Sequence, residues 1–251
     1  MCLIVLAWKA RADLPLVIAA NRDEWRERPT QPAHFWPDHP AILAGRDLKA
    51  GGTWMGVTRA GRFAAVTNYR DPADKRSSAR SRGAIVTEFL LGDLTPAAFI
   101  AALETSSRDY NGFNLLAGDG DSLWYYGSRE AVARAIEPGV HALSNHLLDT
   151  PWPKVQRSRR AMERALVDAD PAQQLFAALA DGGGAPDDSL PATGVGIEWE
   201  RRLSAALITG ADYGTRSSTV LTMNNKGAVR FEEHTLDGAG TVVENRLEQF
   251  T

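Results

Sequence analysis

Cysteine occurs once in this chain of 251 residues, at position 2, directly after Met1. A lone thiol in that place reads in two ways. It can be a small apolar residue at the head of a core strand, since free cysteine packs like a hydrophobe. Alternatively, with Met1 removed, one residue carries both a thiol and a free α-amine, the nucleophile-and-base pairing that N-terminal threonines use. A thiol with a pKa of about 8.5 is only slightly ionised at neutral pH, whereas an α-amine of pKa about 7.7–8.0 accepts its proton, and a nearby guanidinium favours the thiolate. Position alone leaves both readings standing.

Other chemistry finds less support. One cysteine allows neither an internal disulfide nor a cysteine-based zinc site. The five histidines, His34, His39, His141, His146 and His234, show no ligand spacing, so no metal is expected. A net charge of −3 argues against nucleic acid as the main partner. The basic loop at 70–82 suits a phosphate or carboxylate, but such charge runs are usually solvated. The apolar run Cys2–Trp8 is short and lacks a preceding positive charge, unlike a secretory signal. No stretch of about 20 apolar residues is present, so no stable membrane insertion is expected. These features, with 44% hydrophobic and 24% charged residues, predict a cytoplasmic globular protein.

The elements that must position Cys2 follow from the pattern. LIVLAW at 3–8 and LVIAAN at 16–21 are short continuous apolar runs, expected as a hairpin buried on both faces. Residues 29–52, rich in proline, read as loop with little regular structure. TWMGVTRAGRFAAVTN at 53–68 reads as two strands about a turn at Arg59–Gly61, entered through a tight Gly51–Gly52 passage. Helical spacing covers 84–92 and 95–107, the latter opening on Thr-Pro. Strands return as a hairpin about Asp119–Gly120 and at 139–145, then helices at 150–168 and 172–180. DGGGAPDDSLPATG at 181–194 has the composition of a mobile loop, and three strands close the chain. Helices grouped between antiparallel hairpins predict two sheets with helices outside, in a single domain over 1–251.

MCLIVLAW, AANRDEW at 19–25, AGRDLKAGGTWMGV at 44–57, TNYRD at 67–71, SRG at 81–83, YNGFNLLAGD at 110–119, LSNHLLDTPWPKV at 143–155 and YGTRSSTVL at 213–221 run from one end of the chain to the other. With these motifs the chain resembles the NRDE family, also called the transport and Golgi organisation protein two family. That family is similar in turn to the cysteine N-terminal-nucleophile hydrolases of the choloylglycine hydrolase and penicillin V acylase group. The resemblance implies an α+β fold, a four-layer αββα sandwich of two packed antiparallel sheets flanked by helices. It implies Cys2 as nucleophile, with Arg22 and Asp23 on the next strand, Asn145 mid-chain and Arg216 late. Asn145 is the candidate oxyanion donor, with Asn68 second. Asn21, Asn68, Asn114 and Trp54 lie in the same motifs and are the candidate substrate contacts.

The chain departs from the acylase pattern in one place. The acylases write Arg-Asn-x-Asp where this chain has Asn21, Arg22, Asp23 and Glu24. Strand neighbours face opposite sides of a sheet, so Asn21 and Asp23 share one face and Arg22 and Glu24 the other. Not all four can reach Cys2. Arg22 has an alternative use in pairing with Glu24 or Asp47. Asp23 can anchor the α-amine or cap a turn.

Two functions follow. The first is an amidohydrolase cleaving a C–N bond of a small acylated molecule, without a cofactor. The second is a non-catalytic binding or carrier protein of the same fold, handling haem, acyl lipids or acyl-CoA. Retention of Cys2 favours the first, and the altered Asn-Arg-Asp-Glu segment favours the second or a different substrate. The substrate and the oligomeric state are left open.

Overall fold

The computed structural model describes residues 2–74 and 76–251. In chain order its strands and α-helices are β1 (Cys2–Trp8), β2 (Leu16–Trp25), β3 (Thr30–Trp36), β4 (His39–Asp47), β5 (Met55–Thr58), β6 (Phe63–Asn68), α1 (Gly83–Leu91), α2 (Pro96–Glu104), β7 (Phe113–Gly118), β8 (Leu123–Gly127), β9 (Val132–Ala135), β10 (Gly139–Leu143), α3 (Pro153–Ala165), α4 (Ala172–Leu179), α5 (Ile197–Leu203), β11 (Tyr213–Met223), β12 (Val229–Leu236) and β13 (Val242–Phe250). They fall into two compact units, one built from residues 2–27, 138–144 and 148–250, the other from 28–137, 145–147 and 251.

The first unit holds a six-stranded antiparallel sheet in the order β10-β1-β2-β11-β12-β13. All seven residues of β1 are buried, which explains its uninterrupted apolar run. Parity sorts its faces. Val5 and Ala7 of β1, Val17 and Ala19 of β2 and Val220 of β11 meet Val155, Met162 and Ala165 of α3 and Leu175 and Leu179 of α4. α3 supplies that contact from one stripe, with Val155, Ser158, Met162 and Ala165 buried. Cys2, Ile4 and Leu6 point to the opposite face. Each large apolar side chain buried this way contributes about 1.5–3 kcal/mol.

The second unit is a seven-stranded antiparallel meander, β3 through β9 in sequence order. Ile85, Val86, Phe89 and Leu90 of α1 and Ile100 and Leu103 of α2 pack on the side chains of one sheet face, among them Ile42, Val66 and Leu115. α2 starts where its sequence predicts: Thr95 Oγ1 accepts from the Ala98 N–H at 3.3 Å, with Pro96 in the first turn. The Gly51–Gly52 passage is required by packing. A Cβ on Gly52 would lie 2.7 Å from the Gly83 carbonyl at the start of α1, and Gly51 has φ +79°.

The α+β class, with two antiparallel sheets and helices, is as expected. Two expectations need correction, and two elements are new. Residues 29–52 form β3 and β4 rather than loop, with Pro32 in β3, an edge strand whose register is irregular. The 181–194 segment is pinned: the Asp181 carbonyl accepts from Ala206 and Leu207, Arg157 donates to the Gly183 carbonyl, and the Ala185 N–H donates to Ser204 Oγ. The short strand β9 and the seven-residue helix α5 are additions to the pattern.

Candidate active site

In the first unit, the register of the β1–β2 hairpin decides which part of the Asn-Arg-Asp-Glu segment meets the thiol. Cys2 pairs directly with Arg22, and Leu3 with Asn21. Directly opposed residues of an antiparallel pair share a face, so Cys2 and Arg22 stand side by side. On the far side of β2, Arg22 pairs with Ser217 of β11. Between Thr215 and Ser217 the register shifts, and Arg216 is the additional residue of a β-bulge.

Cys2 is 7% exposed and Arg22 is 6% exposed. Arg22 Nη2 lies 3.8 Å from Glu24 Oε2, while its Nη1 is buried and donates to no acceptor among the described residues. Asp47, the other partner considered for Arg22, pairs with Arg28 in the second unit at 2.6 Å. A buried guanidinium with an idle N–H is costly unless something else takes the bond. Burial pushes the Cys2 thiol above its ordinary pKa and the Asp23 charge adds to this, whereas the Arg22 charge and the Asp23 backbone N–H pull it down. The balance leaves the thiol protonated at neutral pH, so its chemistry needs a base.

Asp23 is buried and oriented: Thr215 Oγ1 donates to its Oδ1 at 2.7 Å and itself accepts from the Ile208 N–H at 2.9 Å. Gly214 permits that approach, because a Cβ there would fall 2.4 Å from the Ile208 carbonyl oxygen. Arg216 Nη1 donates to the carbonyls of Trp25 and Arg26 at 3.0 and 3.2 Å, closing the end of β2. Burial lowers its pKa, and the Arg22 and Arg26 charges lower it further, with Glu24 opposing. Cys2 and Arg22 therefore share one face at this end of β1 and β2, Asp23 lies at the same end on the face of Asn21, and Arg216 of β11 closes the end of β2. Ser144 completes the setting by donating from Oγ to the Cys2 carbonyl at 3.3 Å.

Asn21 is a correction. Proposed from sequence as a substrate contact, it faces the helices, not Cys2. Its Nδ2 donates to the carbonyls of Leu179 and Ala206 at 2.9 and 2.8 Å, and its Oδ1 accepts from Ser218 at 2.6 Å. A groove lined by Arg157, Arg160, Arg164, Ala178, Asp181 and Ala206 belongs to that helical side as well.

The remaining candidates lie in the second unit. Asn145 is fully buried; its Nδ2 donates to the Asn68 carbonyl at 3.0 Å and its own carbonyl accepts from the Arg70 N–H at 2.7 Å. The Asn68 side chain makes no hydrogen bond among the described residues and is half-buried. Asn114 is the second correction: its Nδ2 donates to Thr67 Oγ1 and to the His146 carbonyl, and its Oδ1 accepts from Tyr125 Oη at 2.8 Å. Both ends of that amide are committed, which makes it a brace between β6, β7 and β8 and not a substrate contact. Trp54 is half-buried, with its carbonyl accepting from Val66. The His146 ring lies tilted against Tyr69, with centroids 5.0 Å apart, and burial lowers its pKa.

Thr215, Ser217 and Ser144 escaped the sequence reading. The first two carried a signal, since alternate positions of YGTRSSTV had to meet the Asn-Arg-Asp-Glu segment if β2 and β11 were neighbours. The bulge at Arg216 carried none.

The sequence profile of the family described as "Transport and Golgi organisation 2" matches residues 1–238. The chain belongs to the transport and Golgi organisation 2 family. The cattle (Bos taurus) transport and Golgi organization protein 2 homolog is 38% identical over 249 residues, covering 89% of this chain and 87% of the relative. The human (Homo sapiens) homolog is 36% identical over 257 residues, covering 94% and 92%. Among solved structures, the C2A mutant of the conjugated bile acid hydrolase of Clostridium perfringens is similar with a TM-score of 0.51 at 7% identity, over 100% of this chain and 92% of that one. At that identity the likeness is one of fold alone. Among the described residues no helix is long and apolar enough to cross a membrane.

Proposed function

We propose that this family member is a cysteine amidohydrolase of the N-terminal-nucleophile type, cleaving the amide bond of a small acylated molecule. The observation that carries the reading is the cross-strand pair of Cys2 and Arg22, in which a buried thiol adjoins a buried guanidinium with an idle N–H. Met1 lies outside the described residues, and its removal by hydrolysis is part of the proposal. Removal frees the Cys2 α-amine, the base that a thiol held protonated by burial requires.

In the proposed reaction the amine takes the thiol proton and the sulfur attacks the amide carbonyl carbon. The carbonyl electron pair moves to oxygen, and the idle Arg22 Nη1 is the donor placed to stabilise that charge, a kind of contact whose loss costs about 10²–10³ in rate. The ammonium returns its proton to the leaving nitrogen, the C–N bond breaks and an amine departs. Water then hydrolyses the Cys2 thioester, releasing a carboxylic acid and restoring the thiol. Asp23, fixed by Thr215, is the proposed anchor of the α-ammonium, and Arg216 holds the end of β2 in place.

Acid quenching during incubation with a panel of N-acyl amides, followed by mass spectrometry of the Cys2 peptide, tests this. The expected result is loss of Met1, an acyl group in place of the thiol hydrogen, and free amine in solution. Intact amide retained by the protein with no acyl-cysteine would instead support the carrier reading.

A further inference from the structure

The unused edge of the first unit's sheet points to a partner. Among the described residues β13 pairs only with β12 and closes one side of the six-stranded sheet. Its pairing is regular from Glu244 to Phe250, with Val243 left over at a register shift. Leu247 is 52% exposed, and Asn245, Arg246 and Gln249 are exposed beside it. Folded proteins blunt such an edge with proline, lysine and other charges, bulges or very short strands. Val242–Phe250 runs for nine residues without proline or lysine, and its three charges, Glu244, Arg246 and Glu248, alternate in sign, a pattern complementary to its own antiparallel copy.

We propose that β13 is a homodimer interface, adding to β13 of a second copy of this chain to make one continuous antiparallel sheet. A two-fold axis normal to the sheet keeps each face on its own side, so opposed residues must share parity and the axis must pass through a residue. Centred on Leu247, the axis sets Leu247 against its own copy, Arg246 against Glu248 of the second copy and Asn245 against Gln249 of the second copy. Each of the last two pairings occurs twice. Within its own strand Arg246 already meets Glu244 at 2.7 Å, so in the dimer its guanidinium lies between two carboxylates. Moving the axis to Arg246 opposes arginine to arginine and Glu244 to Glu248, which is repulsive. Moving it to Asn245 keeps two Glu244–Arg246 pairs but runs the pairing through the left-over Val243, where the strand is irregular, and sets Glu248 against Val242. The charge pattern, the exposed leucine and the irregularity at Val243 together select a second copy and one register. Backbone hydrogen bonds supply the attraction, and the two-fold closes the edge without leaving a growing end.

Sedimentation velocity of the full chain at concentrations up to about 100 µM tests this, with far-ultraviolet circular dichroism as the check on folding. The wild type is expected to be dimeric and Leu247→Asp monomeric. Arg246→Glu is expected to weaken the dimer about tenfold, since it removes two attractive pairs and creates two like-charge pairs. The double variant Arg246→Glu/Glu248→Arg restores two opposite-charge pairs between positions 246 and 248 in the Leu247-centred register and is expected to recover the dimer, whereas an axis on position 246 still sets like charges against each other there. A monomeric wild type, or a dimer indifferent to Leu247→Asp and Arg246→Glu, overturns the interface. A double variant as weak as the single one overturns the register.

Discussion

Asn21 and Arg22 are neighbours in the chain and both are buried, yet they sit on opposite faces of β2 and have opposite accounts of their hydrogen bonds. The Asn21 amide donates to the carbonyl of Leu179 at the end of α4 and to that of Ala206, and accepts from the Ser218 hydroxyl. The Arg22 guanidinium reaches Glu24 at 3.8 Å and keeps an idle N–H beside a thiol. The Asn114 cluster in the second unit resembles Asn21: polar, buried and satisfied. Satisfied networks fix a fold, and buried groups left unsatisfied are where a ligand or a reacting atom is to be sought. Asn21, Asn114 and Arg22 all lie in family motifs and divide by their hydrogen bonding.

Substitutions on the two faces should separate these roles. Cys2→Ala is expected to remove amide turnover by at least about 10⁴-fold, the scale on which single nucleophiles act, with the fold retained. Arg22→Met should cost about 10²–10³ in the rate of acyl-cysteine formation, while the melting temperature stays level or rises because a buried, poorly paired charge is gone. Coincident loss of stability and rate would place Arg22 with Asn21 and erase the contrast. Asn21→Ala should do the reverse, destabilising by about 2–4 kcal/mol in denaturant titration as two buried carbonyls and Ser218 lose their partner, with little change in the reactivity of folded Cys2. Tyr125→Phe should cost about 1 kcal/mol through Asn114, leaving Cys2 untouched.

The smallest effect concerns pH. The Cys2 thiol is raised by burial, so the unfolded chain ionises first, near pH 8.5, and holds fewer protons than the folded chain above that point. Stability from this group is complete below pH 8.5 and falls as pH rises towards the folded pKa. Denaturant midpoints across that window should decline more steeply for wild type than for Cys2→Ala.

Much of this was legible beforehand. The hairpin of two apolar runs, the capped helix at Thr95 and the closing strands follow from patterns that need no partner to be recognised. Family motifs located Cys2, Arg22, Asp23 and Arg216. What the chain concealed was register. The connection between β1 and β2 spans 9–15, and nothing in its composition fixes whether Cys2 meets Asn21 or Arg22, although a one-residue slip exchanges the faces. The roles of Asn21 and Asn114 were hidden for the same reason, since the carbonyls of Leu179, Ala206 and His146 and the hydroxyls of Ser218, Thr67 and Tyr125 meet them only through strand register and packing. β3 was concealed by Pro32, which an irregular edge strand tolerates.

The most direct test of an activated Cys2 is the rate of its alkylation by iodoacetamide at neutral pH, followed by intact-protein mass spectrometry alongside Cys2→Ala and Arg22→Met. The account predicts a protein lacking Met1 that gains one adduct, absent from Cys2→Ala, and gains it faster than Arg22→Met, which lacks the guanidinium that favours the thiolate. A retained Met1, or a rate unchanged in Arg22→Met, would contradict it.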